Sequence, residues 1–316
     1  MKTYVVDKPL VSLLVFGIIL LLFAGCNPIV SRFTARAMGQ LSQPIAPAGM
    51  KNSSPLQPDV GLSILWVGHA TVLIQIHDKV IITDPVFSNT VGLVAKRSIE
   101  PGLDPSTITR LNFILISHLH LDHFSYGSLA MLPKEATLVV PPDAGEYTPE
   151  FGFAETREAK TWETIEREGL RITPVPVRHF GGRYGFDVIL GPDRPYTGYV
   201  IEYNGSTVFV AGDTGYDPDI FKEIGRRFRI DVALLPIAPV EPRDFMKRVH
   251  TDPAEALQVF EDVGATTMIP MHHNTFFQGL EPEIGYAKNI LQRLAAERGL
   301  SHRVKILEIG EQIILN

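Results

Sequence analysis

Short apolar runs dominate this chain from about Gly61 onward, and longer amphipathic stretches gather toward its end. Val80-Ile81-Ile82, Phe113-Ile114-Leu115-Ile116, Arg171 to Val177, Thr207-Val208-Phe209-Val210 and Thr266 to Pro270 are each apolar or β-branched. Their length predicts buried strands rather than helices. Pro253 to Asp262 and Glu283 to Ala296 carry helical spacing, and Thr251-Asp252-Pro253 supplies a start signal for the first of them. Strands come first and then alternate with helices, which predicts one large α/β domain over residues 60–316. No solenoid or propeller period is visible.

The first 59 residues have a different texture. Lys2 and Lys8 precede an apolar run from Leu10 to Phe23, and Phe23-Ala24-Gly25-Cys26 resembles a lipobox in which Phe23 replaces the usual Leu. The run is short for a membrane span, so residues 1–25 read as a lipoprotein signal peptide, with an uncleaved anchor as the alternative. Cys26 is the only cysteine of the chain, and lipidation at a mature N-terminus accounts for it. Asn27 in the next position favours the outer membrane in a Gram-negative host. Residues 26–59 are rich in Pro, Ser, Gln and Gly and read as a polar tether, with an arm packed on the domain left open.

Charge narrows the partners. Removing residues 1–25 takes away two lysines and one aspartate, which moves the net charge from −6 to −7. The absence of a basic surplus argues against nucleic acid. An anionic small-molecule substrate remains open, because a bound cation would dominate the local field.

The chemistry is concentrated in Ser117-His118-Leu119-His120-Leu121-Asp122-His123. In an extended segment His118, His120 and Asp122 share one face, and His123 joins them only if the chain turns sharply after Asp122. Phe124-Ser125-Tyr126-Gly127 suggests that turn and a short helix after it. Further metal-competent side chains follow other apolar runs: His179 after Val177, Asp213 after Val210, and His272-His273 after Pro270. Four strand ends can thus bring ligands to one rim. Imidazole and carboxylate without thiolate suit zinc, with iron or manganese as substitutes. No GxSxG and no nucleophilic cysteine motif is present. His77 and His302 read as ordinary surface residues.

These motifs, with Gly68-His69-Ala70-Thr71, Thr83-Asp84-Pro85, Glu241-Pro242-Arg243-Asp244-Phe245-Met246, His250-Thr251-Asp252-Pro253 and His272-His273-Asn274-Thr275-Phe276, resemble the metallo-β-lactamase superfamily. Within it the resemblance, from about Leu65 to about Pro282, is to the branch of N-acylphosphatidylethanolamine-hydrolysing phospholipase D and its bacterial relatives. It implies an αββα sandwich of two mixed sheets with helices on the outer faces. It further implies two zinc ions per chain, one held by His118, His120 and His179 and the other by Asp122, His123 and His272, with Asp213 between them. The water they activate would be the nucleophile. Asp84 stands where the superfamily places a carboxylate supporting the metal loop, and a turn-initiating role before Pro85 is the alternative. His250 matches a branch histidine near the substrate phosphate, so it is a candidate for substrate binding and proton transfer beside the catalytic Asp122. Only the resemblance chooses His272 over His273. His69 reads as a hydrogen-bonded core histidine in preference to a site residue.

Two departures bear on specificity. Leu121 occupies a substrate-contacting position where the mammalian phospholipase has Tyr, and Phe180-Gly181-Gly182-Arg183 replaces the family's Trp-Cys-Lys. The expected activity is a zinc-dependent phosphodiesterase acting on N-acylphosphatidylethanolamine or a related phospholipid. A lactonase and a non-catalytic metal-binding envelope lipoprotein are the competing readings. The expected partner besides substrate is the membrane, reached through lipidated Cys26, and a homodimer stays open. The loop from Phe87 to Arg97 is expected either to pack on the core or to border the metal rim, with Lys96 and Arg97 meeting lipid phosphates.

Overall fold

The computed structural model describes residues 28–92, 95–183 and 196–315. The signal-peptide and Cys26 assignments, and Leu93 and Val94 of the 87–97 loop, lie outside the described residues. Strands β1 (Leu62–Gly68), β2 (Thr71–Ile76) and β3 (Lys79–Thr83) form a meander, and β4 (Thr90–Val91) and β5 (Ala95–Lys96) a small separate hairpin. β6 (Phe113–Leu115), β7 (Thr137–Val140) and β8 (Glu155–Glu158) add to β3 in parallel. β9 (Ile165–Arg167), β10 (Leu170–Val175), β11 (Gly198–Tyr203), β12 (Ser206–Val210), β13 (Val232–Pro236) and β14 (Thr267–Met271) make a second sheet. β15 (Gln312–Leu315) returns to pair with β1. Both sheets are mixed, because each joins an antiparallel meander to a parallel set.

Burial on two faces explains why the strands read as continuous apolar runs rather than alternating ones. Along β1, Ile64 and Trp66 point between the sheets, toward Tyr199, Val210, Leu234 and Ile269. Leu65 and Val67 point the other way, into a second cluster with Ile82, Ile114, Phe124 and Leu129. The helices Pro218–Arg227, Pro253–Asp262 and Tyr286–Glu297 cover the outer face of the second sheet. Loops and the short helix Tyr126–Ala130 cover the outer face of the first. The αββα sandwich therefore has one full helical layer and one thin one.

Local start signals behave as their chemistry dictates. Asp252 accepts the N–H of Glu255 at 2.9 Å and Pro253 occupies the first turn. The last helix starts at Tyr286 rather than Glu283, because Gly285 at its N-cap takes φ 92°, a conformation that glycine adopts readily and that interrupts a helix.

The tether expected over 26–59 is corrected. Pro28–Ser42 is a helix, and the following arm bonds to the domain through Ala46 N–H to Ser98 O (2.9 Å), Glu100 N–H to Ala46 O (2.9 Å) and Asn52 N–H to Gly102 O (2.7 Å). Pro44, Pro47 and Pro55 hold this arm extended without preventing it from bonding at its other residues. Of the two expectations for the 87–97 loop, Arg97 follows the one that packs it on the core. Arg97 is fully buried, donating to Val86 O and, at 3.2 Å, to Ser88 O. Lys96 caps the N-terminal helix through Leu41 O (3.1 Å) and Gln43 O (2.5 Å).

Candidate metal centre

Six strand ends converge on one rim. His69 follows β1, Asp84 follows β3, the His118–His123 segment follows β6, His179 follows β10, Asp213 follows β12 and His272 follows β14. His69, Asp84 and His272 take positive φ (56°, 37° and 62°), so the backbone turns at the end of each strand. Such angles cost about 1–3 kcal/mol each and persist where surrounding packing enforces them. Gly212 also takes positive φ (63°), and a β-carbon there would come within 2.6 Å of the Ser117 β-carbon. Only glycine lets the strand end carrying Asp213 pass this close to the histidine loop.

The histidine loop turns earlier than expected. His123 N–H and Phe124 N–H both bond to His120 O, at 3.0 and 2.9 Å, so the turn spans His120–His123 rather than following Asp122. This divides the motif between two groups. His118 Nε2 lies 2.8 Å from His120 Nδ1, and His179 Nε2 lies 3.4 Å from the same atom. On the other side His123 Nε2 lies 3.2 Å from His272 Nε2, and Asp122 Oδ2 lies 3.5 and 3.8 Å from these two atoms. Asp213 stands between the groups. Its Oδ2 is 3.2 Å from His123 Nε2 and 4.0 Å from both His118 Nε2 and His179 Nε2, and its Oδ1 is 3.1 Å from His272 Nε2.

The outward nitrogens are committed. His123 Nδ1–H donates to Asp84 Oδ2 (2.8 Å), His272 Nδ1–H to Ala238 O (2.9 Å) and His179 Nδ1–H to Val249 O (2.8 Å). His118 Nδ1 meets Ser117 Oγ at 2.9 Å, and that hydroxyl donates to Asp84 Oδ2 at 2.7 Å. In the neutral tautomers these bonds select, the inward Nε2 atoms are lone pairs aimed at one another and at a carboxylate. Asp213 Oδ1 is itself buried without a hydrogen-bond partner. Lone pairs packed this way repel unless a cation or protons lie among them. Nitrogen ligands about 2.0–2.1 Å from a tetrahedral zinc stand about 3.4 Å apart, and the spacings here are of that order. The donor set therefore fits two divalent cations.

Electrostatics agree. Burial lowers the His272 pKa, but Asp213 and Asp122 outweigh it and raise the group to about 9. His123 is likewise raised against its burial by Asp213, Asp122 and Asp84. Asp213 and Asp122 stay well below the usual carboxylate range, because the histidines overcome the opposing effect of burial. The fold thus favours positive charge among these carboxylates. Burial instead drives His118 and His179 well below their usual value, which keeps them neutral.

Other sequence-predicted residues fall as follows. His250 Nδ1 lies 3.7 Å from Asp213 Oδ2 and is buried without a hydrogen-bond partner. Burial pulls its pKa down to about 4, against the pull of Asp213. His273 packs tilted against Trp66 with ring centroids 4.5 Å apart and stays out of the cluster. Leu121 is half-buried, with Cδ1 close against Gly92, and does not line the cleft over the cluster. Three further residues support the cluster. His69, expected in the core, places Nε2 2.8 Å from Asp122 Oδ2, and Gln278 donates to the same oxygen. Arg183 donates to Phe124 O at 2.8 Å and Leu119 O at 3.3 Å, and lies over the Tyr126 ring, pinning the histidine loop from behind. A cleft of about 250 Å³ opens over His120, Asp122, Asp213 and His250, walled by Phe33, Ala95, Phe180, Pro239, Phe245, Met246 and Phe277.

Comparison with known proteins agrees with this geometry. Residues 79–273 match the beta-lactamase superfamily domain. The chain is 32% identical over 251 residues to a metal-dependent hydrolase of Methanopyrus kandleri, covering 79% of this chain and 98% of that protein. It is 29% identical over 262 residues to a mitochondrial N-acyl-phosphatidylethanolamine-hydrolyzing phospholipase D of Saccharomyces cerevisiae, covering 78% of this chain and 54% of the yeast enzyme, so it spans about half that relative's length. Among solved structures, a metallo hydrolase of the archaeon Ignicoccus hospitalis aligns with a TM-score of 0.62 at 21% identity, over 81% of this chain and 98% of that one. That likeness concerns the fold alone.

Proposed function

This chain belongs to the metallo-β-lactamase superfamily and is a metal-dependent hydrolase, and from that premise we propose that it is a zinc phosphodiesterase of the phospholipase D type, acting on N-acylated phosphatidylethanolamine or a related phospholipid. The observation that carries this reading is the joining of two features in one cleft: a carboxylate shared between two histidine groups, and walls made largely of phenylalanine. The first suits a phosphodiester anion, the second an apolar tail. The likeness to the yeast phospholipase supports the same choice.

His118, His120 and His179 would hold one zinc ion and Asp122, His123 and His272 the other, with Asp213 between them. When bound, two such ions supply an acidified water and positive charge for the phosphoryl oxygens. The protein's own residues do the rest. His69 and Gln278 fix Asp122, Asp84 fixes His123, and carbonyls of Val249 and Ala238 fix His179 and His272. His250 supplies a buried, neutral imidazole whose Nδ1–H donates to a substrate oxygen, orienting the phosphodiester beside Asp213. The phenylalanine walls offer apolar surface to the substrate's tail. We further propose export as a lipoprotein carrying lipid on Cys26, with the substrate drawn from the adjoining membrane.

Zinc-loaded protein assayed side by side on N-acylphosphatidylethanolamine, a soluble phosphodiester and a panel of lactones tests the reading. Release of the N-acylethanolamine is expected. Faster turnover of lactones than of any phosphodiester would replace it with a lactonase. Full metal content without turnover of either class would indicate a non-catalytic metal protein.

A further inference from the structure

The helix Pro28–Ser42 precedes the family-matched residues 79–273, yet it reaches the catalytic cleft. Ile29, Phe33, Ala37 and Leu41 stand four apart and therefore share one helical face. Phe33 walls the cleft over His120, Asp122, Asp213 and His250. One turn earlier, Ile29 walls a neighbouring groove of about 780 Å³ together with Pro242 and Val249, with Glu241, Arg243, Asp244 and Arg248 also contributing to its lining. Phe180 and Phe245 line both spaces, so the cleft continues into the groove and the helix runs along it.

The helix is fastened at its flanks rather than through a core. Arg36 lies over the Phe277 ring, 4.2 Å from its centroid, and donates to Pro282 O at 3.4 Å. Gln40 donates to Ser98 Oγ at 3.0 Å, and Lys96 holds the last turn. None of its residues is buried. Ile29 remains 49% and Phe33 38% exposed, which leaves apolar surface in water along a channel that leads to the reacting centre.

We propose that this helix is the wall that selects substrates bearing a long alkyl or acyl chain, with Phe33 as the specificity-determining residue. The chain lies between Ile29 and Phe33 on one side and Phe180 and Phe245 on the other, while the polar group sits at Asp213 and His250. The proposal rests on the phosphodiesterase reading for the identity of that polar group only.

The test compares full-length zinc-loaded protein with its Phe33→Ala and Arg36→Ala variants on methyl 4-nitrophenyl phosphate and on dodecyl 4-nitrophenyl phosphate below its micelle concentration. Zinc content and circular dichroism check folding, which should survive because the helix buries no side chain. The ratio of kcat/KM for the dodecyl over the methyl diester should fall about tenfold in Phe33→Ala. It should move the same way in Arg36→Ala, which removes the contact with Phe277 and the bond to Pro282 O that fasten the helix beside the cleft. An unchanged ratio in both variants overturns the proposal. Calorimetric binding of dodecyl phosphate separates this from the activity itself. If neither diester is turned over but Phe33→Ala weakens dodecyl phosphate about tenfold, the wall stands and the phosphodiesterase reading falls. Unchanged affinity in the absence of turnover overturns the wall as well.

Discussion

Asp84 Oδ2 accepts the Nδ1–H of His123 at 2.8 Å, with both side chains sealed from water. The same carboxylate accepts the N–H and Oγ–H of Ser117, each at 2.7 Å. One aspartate therefore sets the ring angle of a metal-facing histidine and the start of the loop that carries three of them.

Asp84→Asn should weaken zinc binding about 10–100-fold, the usual effect of losing a carboxylate behind a metal-binding histidine. The amide retains one oxygen acceptor, and asparagine tolerates the positive φ at this position. Competition with a fluorescent chelator measures the change. Unaltered affinity would show that Asp84 serves the turn before Pro85 alone.

Asp213→Ala should reduce zinc content from two per chain to one or fewer, with activity falling in parallel. Asp213 approaches histidines of both groups, so its loss cannot spare either. Elemental analysis of protein purified without chelator decides this. A wild-type content of one that does not rise after adding zinc would exclude a two-metal centre.

The strand ends were legible because each ligand follows an apolar run, and that arrangement survives in His179, Asp213 and His272. What sequence could not supply was long-range packing. His69 and Asp122 are 53 residues apart and Gln278 and Asp122 are 156 apart, and no local period announces such pairs. The spacing of the 87–97 loop leaves open whether Arg97 packs inward or faces lipid, and the carbonyls of Val86 and Ser88 draw it inside. The N-terminal helix was legible in principle. Ile29, Phe33, Ala37 and Leu41 keep helical spacing, but the surrounding Pro, Ser and Gln composition masks it. The turn at His120 is set by two backbone bonds, which side-chain spacing does not encode.

Cys26→Ser should abolish lipid attachment and leave the precursor unprocessed, since no other cysteine exists in the chain. Mass spectrometry of the membrane fraction checks both outcomes. A substituted protein still cut before residue 26 and still carrying lipid would reject the lipoprotein assignment. Because the cleft-lining helix Pro28–Ser42 lies close to Cys26 in sequence, loss of the anchor should also lower hydrolysis of bilayer substrate more than that of a soluble diester.

In chelator-treated protein, His272 has a folded pKa of about 9 and His123 is also raised, in both cases because nearby carboxylates overcome burial. A group whose folded pKa exceeds its unfolded value, about 6.5 for histidine, stabilises fully below the unfolded value and loses that contribution as pH rises through the folded one. His69, His250 and His273, lowered by burial to about 3, about 4 and about 3, and His118 and His179, lowered well below their usual value, are neutral when folded, and their unfolded counterparts have lost their protons by about pH 7.5, so they contribute no slope above it. Asp122 and Asp213 remain charged throughout. Chelated protein should therefore lose thermal stability from about pH 7.5 to about 9. Bound zinc displaces the protons from these ligands, so the loaded protein should show a much flatter profile over the same window. Paired Tm measurements isolate the difference, since every group remote from the cluster titrates alike in both samples. A chelated protein whose Tm is flat, or rises, relative to the loaded form would rule out protonated His123 and His272 as the charge that balances Asp122 and Asp213.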